Sequence, residues 1–507
     1  MTLMRNNEVD RMKYISTRDS SHSRTAAQAI LEGIAPDGGL YLPQEIPALS
    51  REMLAELCPL TYQERAARIL GMFLTDYTKE ELEQCVKGAY DEGFDEGRPA
   101  PLSTLSDGTA LLELWHGPTC AFKDMALQLL PRLMTAAMAK EGDGRQVVIL
   151  VATSGDTGKA ALEGFRDVPG TRIMVFYPQQ GVSRMQKRQM TTQQGNNVSV
   201  MAIEGNFDDA QTGVKKIFGD RALQEELGEK GFVLSSANSI NWGRLVPQIV
   251  YYISAYCDLA ADGRIKLGDQ VNFCVPTGNF GNILAAHYAR RMGLPVGMLV
   301  CASNENDVLT ELMNTGVYNR NRPFHTTISP SMDILISSNL ERLLYELSGC
   351  SDEIVRQLME SLSATGRYQL SENAMEQLRG GFWGGCCGEE ETKTTIRDLF
   401  EEYSYLCDPH TAVAMNVARQ YQRETGDNRP MVVVSTASPY KFADSVLSAL
   451  GRTDIPEDDF EKAALLERLS GVSIPAPISA LRDRPQRFDA CCAPAEMPDA
   501  VKSFLLK

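Results

Sequence analysis

Two patterns of hydrophobic and polar positions divide the chain at about residue 100. Before that point, apolar residues recur every three or four positions, as in residues 51–57 (REMLAEL) and 79–84 (KEELEQ), which predicts amphipathic helices. Residues 97–101 (GRPAP) then interrupt this spacing with glycine and proline. We therefore expect a helical N-terminal domain over residues 1–100.

Beyond this point the pattern changes to short apolar runs rich in β-branched residues, each followed by a turn. The clearest runs are residues 147–151 (VVILV), 173–176 (IMVF), 272–275 (NFCV) and 431–434 (MVVV). Repeated strand, turn and helix units predict parallel sheets that are covered by helices on both faces. Ligands of such sheets bind at the carboxyl ends of the strands, so the loops after these runs are the candidate site.

The same patterns suggest how the rest of the chain is organised, since 507 residues are too many for one core. We expect a first α/β domain over residues 101–265, a second over residues 266–460 and a C-terminal segment over residues 461–507. Residues 340–405 are charged and helical in spacing, with two glycine pairs as interruptions. They are interpreted as a helical insertion in the second α/β domain.

Composition narrows the possible partners. The chain has 50 Lys and Arg against 66 Asp and Glu, a formal net charge of −16, which opposes binding to nucleic acid or anionic lipid. No apolar run reaches the about 18 residues that span a bilayer. Twelve cysteines without a CxxC pair and only five histidines favour free thiols and argue against a metal site. We therefore expect a cytoplasmic enzyme that acts on a small molecule without a metal.

An anion-binding loop is predicted where the run at residues 272–275 meets a helix that begins near Ile283. Residues 275–282 (VPTGNFGN) are mostly small or polar, so several backbone N–H groups can face an anion at the helix N-terminus. Taken alone, the loop fits a plain turn rich in Gly and Asn about equally well.

A second loop, residues 153–159 (TSGDTGK), invites comparison with a nucleotide-binding P-loop. Thr153 and Ala160 stand where that motif requires Gly and Ser or Thr, so the match fails. What remains is a loop rich in hydroxyl and amide groups before a second helix, which suits a carboxylate.

Lys123 is the single lysine of a small and largely apolar segment, residues 116–124 (HGPTCAFKD). A lysine with few solvating neighbours has a lowered pKa, as an imine-forming amine requires. The alternative, a lysine that extends into solvent from a helix start, has equal weight from this segment alone.

Together these segments resemble threonine synthase, a family of pyridoxal-phosphate enzymes of fold type II. The similarity runs from Met12 to about residue 450 and leaves out the residues before Met12. Beside the three segments above, it depends on motifs in the same order, namely residues 13–18 (KYISTR), 37–43 (DGGLYLP), 238–244 (NSINWGR), 408–413 (DPHTAV) and 435–439 (STASP). Each motif is weak alone, but their common order makes chance agreement remote.

The resemblance implies a fold, a cofactor and a reaction. The fold is α/β and tryptophan synthase beta-like, with two parallel-sheet domains beside the helical N-terminal domain and pyridoxal 5′-phosphate in the cleft. The reaction converts O-phospho-L-homoserine and water to L-threonine and phosphate, by γ-elimination followed by β-addition of water. It is the last step of threonine biosynthesis. The oligomeric state is left open.

The resemblance also implies roles for individual residues, with Lys123 as the Schiff-base lysine and catalytic base. The residues expected to hold the cofactor are Gly278, Asn279, Phe280 and Asn282 at its phosphate and Thr436 at its pyridine nitrogen. The residues expected to hold the substrate are Ser154, Gly155, Asp156 and Thr157 at its carboxylate and Ser239, Asn241 and Arg244 at its phosphate. Arg pairs with phosphate in bidentate fashion, although a structural Arg244 is the alternative.

One segment departs from the family pattern, and two other functions compete with the synthase. After Thr436-Ala437 the family usually has HPAKF, whereas this chain has SPYKF, so the role of that His is open. A lyase of the same fold that makes a 2-oxo acid shares the lysine and both loops, but residues 13–18 and 238–244 favour the synthase. A cofactor-binding protein without turnover is disfavoured because lysine, loops and Thr436 are all present.

Overall fold

The computed structural model describes residues 11–142, 144–153, 155–179 and 182–506. The N-terminal part combines helices with a small antiparallel sheet of order β2-β1-β3. Its elements are β1 (Tyr14–Ser16), β2 (Ser23–Arg24), α1 (Ala26–Glu32), β3 (Tyr41–Pro43), α2 (Arg51–Leu57), α3 (Tyr62–Phe73) and α4 (Lys79–Tyr90). Thr25, Thr61 and Thr78 start α1, α3 and α4 with capping boxes, which satisfy N–H groups at each helix start. The helical prediction holds for α1–α4 but did not include the sheet.

The remaining elements build two larger sheets. Up to the middle of the chain they are β4 (Leu102–Thr104), β5 (Ala110–Glu113), α5 (Asp124–Leu127), α6 (Leu130–Glu141), β6 (Gln146–Ala152), α7 (Asp156–Phe165), β7 (Thr171–Pro178), α8 (Arg184–Thr191), β8 (Val198–Ile203), α9 (Phe207–Gly219), α10 (Arg221–Glu229), β9 (Phe232–Ser235) and α11 (Trp242–Ala261).

The second half follows with β10 (Val271–Pro276), α12 (Gly281–Met292), β11 (Val296–Ser303), α13 (Val308–Thr315), β12 (Val317–Asn319), α14 (Leu340–Leu347), α15 (Asp352–Thr365), β13 (Arg367–Gln369), α16 (Glu372–Arg379), β14 (Phe382–Cys386), α17 (Glu389–Tyr403), α18 (Pro409–Thr425), β15 (Met431–Ser435) and α19 (Ala443–Ala449). The last elements are α20 (Asp459–Ser470), α21 (Ala476–Ser479), β16 (Cys491–Cys492) and α22 (Met497–Leu505).

The five-stranded sheet has the order β16-β8-β7-β6-β9 and is parallel throughout. The six-stranded sheet has the order β14-β11-β10-β15-β5-β4, and only its edge strand β4 is antiparallel to its neighbour. Strand residues such as Val148, Leu150, Val432 and Val433 have no exposed surface, which explains the continuous apolar runs in the sequence. The predicted parallel α/β fold is confirmed.

The sheets do not follow the boundaries of the predicted segments. Strand β5, before residue 265, pairs with β15 in the six-stranded sheet. Strand β16, from the C-terminal segment, pairs with β8 in the five-stranded sheet. Both larger units are therefore assembled from distant parts of the chain.

The insertion predicted as helical over residues 340–405 contains four helices, α14–α17, and also two strands. Strand β14 (FWGGC) pairs with β11 at the edge of the six-stranded sheet. The glycine pair belongs to this strand because a Cβ on Gly384 would lie 2.8 Å from that of Met313, and one on Gly385 would lie 2.7 Å from the Trp383 ring. This close packing requires glycine, and a strand that contains glycines does not show the apolar pattern by which strands are recognised in a sequence.

None of the helices in the described ranges is both long and apolar enough to cross a membrane.

Candidate active site

A cavity of about 2090 Å³ lies between the two larger sheets. Its wall includes the loops after β6, β10 and β15, the segment before α5, the start of α11 and residues 326–336. Eleven of the predicted site residues line it, namely Lys123, Gly155, Asp156, Thr157, Ser239, Arg244, Gly278, Asn279, Phe280, Asn282 and Thr436. Ser154 lies outside the described residues.

The loop that carries Lys123 is tied to the loop after β15. The Phe122 N–H donates to the Thr436 carbonyl at 2.8 Å, and Ala121 forms an isolated bridge with Ala437. Lys123 then directly precedes α5, and its Nζ donates to Ser331 Oγ at 3.4 Å. The lysine amine is thus held in the cavity by contacts from two other segments.

Burial lowers the pKa of the Lys123 amine to about 8, and the positive charges of Lys441 and Arg244 act in the same direction. The carboxylates of Asp156 and Asp124 oppose them. A lysine with a lowered pKa has more neutral amine at a given pH, and neutral amine is the form that attacks an aldehyde and accepts a proton.

The predicted anion loop lies between β10 and α12. Phe280 precedes α12 in the left-handed region, with φ of 63°, and this turn orients the first N–H groups of the helix. A Cβ on Gly278 would lie 2.7 Å from the Ser331 carbonyl oxygen, so this position requires glycine. The Asn279 carbonyl accepts hydrogen bonds from both the backbone N–H and the side chain of Asn339, at 3.1 and 3.0 Å.

Asn282 supplies a donor to this loop. Its Oδ1 accepts hydrogen bonds from the hydroxyls of Tyr251 and Tyr252, at 2.5 and 2.6 Å. Its Nδ2 is buried and has no partner within the described part of the chain. An unpaired buried donor is costly, and a phosphate in the loop would satisfy it. The residues present therefore fit the phosphate of the predicted cofactor.

The predicted carboxylate loop connects β6 to α7. Thr153 Oγ1 accepts hydrogen bonds from the N–H groups of Gly155 and Gly158, each at 3.0 Å, and this fixes the turn. A Cβ on Gly155 would lie 2.5 Å from Gln186 Nε2. Thr157 is half-buried at the cavity wall, so its hydroxyl and the α7 N-terminus are the groups that can hold an anion.

The side chain of Asp156 is paired with other groups of the protein. Its Oδ1 lies 2.6 Å from Lys441 Nζ and accepts a hydrogen bond from Gln186 Nε2 at 2.9 Å. Burial alone would raise the pKa of this carboxyl, but the charges of Lys441 and Lys123 hold it below its usual range. A paired, ionised carboxylate cannot hold another carboxylate, so only the backbone of Asp156 can serve that purpose.

The three residues predicted for the substrate phosphate differ in their positions. Ser239 and Arg244 line the cavity. Asn241 does not, because it caps α11: its Oδ1 accepts from the Gly243 N–H at 2.8 Å, and its Nδ2 donates to the carbonyls of Ile30 and Ser236 at 2.9 and 3.0 Å. With those hydrogen-bonding groups in use, the prediction for Asn241 is replaced by a structural role.

Arg244 is 3% exposed, and burial lowers the pKa of its guanidinium to about 10. Nη1 donates to the Ala237 carbonyl at 2.9 Å, whereas the buried Nε has no partner among the described residues. A buried cation with an unpaired donor beside a cavity is suited to an anionic ligand.

Thr436 lines the cavity and is 6% exposed, whereas its neighbour Ser435 is not part of the wall. The Ser435 hydroxyl accepts hydrogen bonds from Trp115 Nε1 and Thr411 Oγ1, each at 3.0 Å. Of these two adjacent hydroxyls, the one of Thr436 is therefore placed to meet a ligand.

Sequence reasoning did not identify three residues at the site. Ser331 contacts Lys123, and its backbone N–H donates to His410 Nε2 at 3.1 Å. His410 lines the cavity, and its Nδ1 lies 2.7 Å from Asp408 Oδ1. Lys441 is the third residue. Like Lys123, it is a single lysine in a small and largely apolar segment, here SPYKF, so the same sequence signal could have identified it.

Ser438 and Tyr440, at which the segment SPYKF differs from the family pattern, do not line the cavity. The Ser438 N–H donates to the Cys120 carbonyl at 3.1 Å, which supports the lysine loop. The Tyr440 hydroxyl donates to the Val472 carbonyl and so attaches the C-terminal segment. Both residues therefore contact groups outside the cavity wall and do not face the cavity.

The family descriptions that match the chain agree with this geometry. They are "Threonine synthase N terminus" over residues 13–90, "Pyridoxal-phosphate dependent enzyme" over residues 101–437 and "Threonine synthase, C-terminal" over residues 411–505.

Relatives and solved structures give the same result. The chain is 41% identical over 458 residues to threonine synthase from Pseudomonas aeruginosa, covering 90% of this chain and 94% of that protein. It is 40% identical over 482 residues to human threonine synthase-like 1, covering 92% of this chain but only 64% of that protein's length. The crystal structure of pyridoxal-phosphate-bound threonine synthase from Brucella melitensis superposes with a TM-score of 0.87 at 39% identity, covering 98% of this chain and 100% of that one. The yeast threonine synthase structure gives a TM-score of 0.86 at 32% identity, covering 97% and 99%.

Proposed function

Because the chain belongs to the threonine synthase family of pyridoxal-phosphate-dependent enzymes, we propose that it converts O-phospho-L-homoserine and water to L-threonine and phosphate. The family, the fold type and the cofactor that the motifs predicted are confirmed by these matches. The observation that carries the proposal is one cavity in which Lys123 lies with an anion loop and a buried arginine.

Pyridoxal 5′-phosphate, when bound, supplies an electron-withdrawing ring that stabilises negative charge at a substrate carbon. Lys123 is the residue that would hold it as a Schiff base. The α12 N-terminus and Asn282 Nδ2 would bind its phosphate, with Phe280 shaping the turn and Asn279 fixed by Asn339. The Thr436 hydroxyl would meet its ring nitrogen.

The amine of Lys123, once released, would move protons to and from the substrate Cα and Cβ. With a pKa of about 8, a substantial fraction of this amine is neutral near pH 7.5, and both protonation states are accessible. The contact between Lys123 Nζ and Ser331 Oγ keeps the amine near one position between these transfers.

The substrate's two anionic groups would be bound at separate places. The N-terminus of α7, with the Thr157 hydroxyl, would hold the carboxylate. Arg244 and Ser239, at the start of α11, would hold the phosphate, where the unpaired Nε of Arg244 gains a charge-assisted hydrogen bond. These two contacts would orient the carbon chain towards the Lys123 amine.

The domain division stays part of this proposal. Residues 1–100 form the N-terminal domain, residues 101–265 and 266–460 the two α/β domains on either side of the cavity, and residues 461–507 the C-terminal segment. Strands β4 and β5 of the first α/β segment belong to the six-stranded sheet, and strand β16 of the C-terminal segment belongs to the five-stranded sheet.

The test is the product formed from O-phospho-L-homoserine by the purified, cofactor-loaded protein. We expect phosphate and L-threonine in equal amounts, measured by a phosphate assay and by amino-acid analysis of the same sample. Phosphate accompanied by 2-oxobutyrate would identify the competing lyase, and absence of phosphate release would contradict both functions.

A further inference from the structure

A buried ion pair crosses the cleft between the two larger sheets. Asp156 is the first residue of α7, in the unit of the five-stranded sheet. Lys441 lies in a single helical turn, Pro439–Phe442, that follows β15 of the six-stranded sheet. Lys441 Nζ lies 2.6 Å from Asp156 Oδ1, and the two side chains are 0% and 3% exposed.

Lys441 also contacts the segment that carries Lys123. Its Nζ donates to the Thr119 carbonyl at 2.9 Å. Thr119 in turn donates to the buried Asp124 from its N–H and its hydroxyl, at 2.8 and 2.7 Å. One ammonium group therefore joins the carboxylate loop, the lysine segment and the loop after β15.

The sign of the charge at this position matters because the substrate is an anion. Asp156 lies at the cavity wall in the loop proposed to hold a carboxylate. An unpaired carboxylate there would repel the substrate carboxylate in a buried setting, where charges interact more strongly than in water. Gln186 is neutral, and so Lys441 is the cation in direct contact with this carboxylate.

We propose that Lys441 is a positioning residue that admits the substrate carboxylate at the α7 N-terminus by neutralising the charge of Asp156. This inference rests on the proposed function, since it takes the α7 N-terminus as the site of the substrate carboxylate.

The charges that act on the Lys123 amine provide a second readout. They are the positive groups of Lys441 and Arg244 and the carboxylates of Asp156 and Asp124. Loss of Lys441 removes a charge that lowers the pKa of Lys123 and leaves Asp156 free to raise it, so that pKa rises. Loss of Asp156 alone has the opposite sign. Loss of both removes opposing effects, and the pKa of Lys123 returns towards its value of about 8.

The experiment compares Lys441→Met, Asp156→Asn and the combined variant in the full-length protein. Competitive acylation of the apoenzyme across pH, with the Lys123 peptide quantified by mass spectrometry, gives the pKa of that amine. Steady-state kinetics of the cofactor-loaded protein gives KM and kcat for O-phospho-L-homoserine. The matched control is the double variant Lys159→Met with Glu163→Gln. These two residues form a second buried ion pair within α7, and neither lines the cavity.

We expect Lys441→Met to raise KM about tenfold or more and to move the Lys123 labelling midpoint upwards, with the combined variant recovering most of both changes. The Lys159 and Glu163 control should leave KM and midpoint near those of the parent. Parental KM in Lys441→Met, or no recovery in the combined variant, would overturn the inference.

Two further outcomes keep the inference separate from the proposed function. If Lys441→Met does not fold, the decision passes to Asp156→Asn, whose Lys123 midpoint should fall below the parent and recover in the combined variant. Absence of that fall would overturn the inference. If the parent makes no threonine, the proposed function fails, and the labelling midpoints still decide whether the ion pair sets the charge at Lys123.

Discussion

At the scale of single residues, the site depends on charged groups that are buried from solvent. Lys123, Arg244 and Asp156 all line one cavity, and in each the pKa departs from the ordinary value. Burial is the first cause for both cations, whereas Asp156 is kept ionised by its cationic neighbours. Perturbed groups that share a cavity are characteristic of active sites.

Replacing Arg244 with Met tests the proposed phosphate contact. A lost charge-assisted hydrogen bond of about 1.5–3 kcal/mol should raise KM for O-phospho-L-homoserine about 10- to 150-fold. Inhibition by L-norvaline, an amino acid of similar length without phosphate, should change little. Equal weakening of both ligands would mean that Arg244 only supports the start of α11.

The sequence predicted residue positions better than residue roles. Lys123, Arg244 and Thr436, whose roles the resemblance implies, all line the cavity. Asn241 and Asp156 stand in equally good motifs, but their side chains bond to groups 30 to 285 positions away or cap a helix start. Such pairing depends on tertiary contacts that spacing along the chain does not reveal.

At the scale of elements, helix starts and strand ends create the binding groups. Two of the three proposed anion sites lie at the N-termini of α7 and α12, which directly follow strands β6 and β10. The order of strand, loop and helix could be predicted from hydrophobic runs. Strand β14 could not, because its glycines lack the β-branched side chains by which strands are recognised.

Gly278→Ala tests the close packing of the phosphate loop. The added methyl group would meet the backbone carbonyl of Ser331 at 2.7 Å, so the loop must move. We expect affinity for pyridoxal 5′-phosphate, measured by absorbance titration of the apoenzyme, to fall about tenfold or more. Gly228→Ala is the control, because a Cβ there has no neighbour within 4 Å. Equal affinity in Gly278→Ala and the parent would show that the loop tolerates the shift or does not bind the phosphate.

At the scale of the whole molecule, the N-terminal domain is linked to the loop proposed to bind the cofactor phosphate, residues 275–282. In the motif of residues 13–18, Arg18 pairs with Glu341 of α14 at 2.7 Å. The neighbouring Arg342 is fully buried and donates to the Tyr41 carbonyl, Asn339 Oδ1 and the Ile240 carbonyl at 2.9, 2.6 and 2.6 Å. Asn339 in turn donates to the Asn279 carbonyl, so Tyr41 of the N-terminal domain is linked to residues 275–282 through Arg342 and Asn339.

Arg342→Met should therefore destabilise the folded protein. Three acceptors lose a buried donor, and we expect a loss of about 3 kcal/mol or more in the free energy of unfolding. Chemical denaturation of the apoenzyme, followed by circular dichroism, measures it. Arg68→Met removes an arginine that is 54% exposed and should change the same quantity by less than about 0.5 kcal/mol. Similar effects of both substitutions would contradict the account of Arg342.

The central claim is that Lys123 carries the cofactor in the cleft between the sheets. The most direct measurement is reduction of the cofactor-loaded protein with borohydride, followed by proteolysis and mass spectrometry of the labelled peptide. The account predicts one pyridoxyl group per chain, on the peptide that contains Phe122-Lys123-Asp124. A pyridoxyl group on Lys159, Lys187 or Lys441, with Lys123 unmodified, would contradict it.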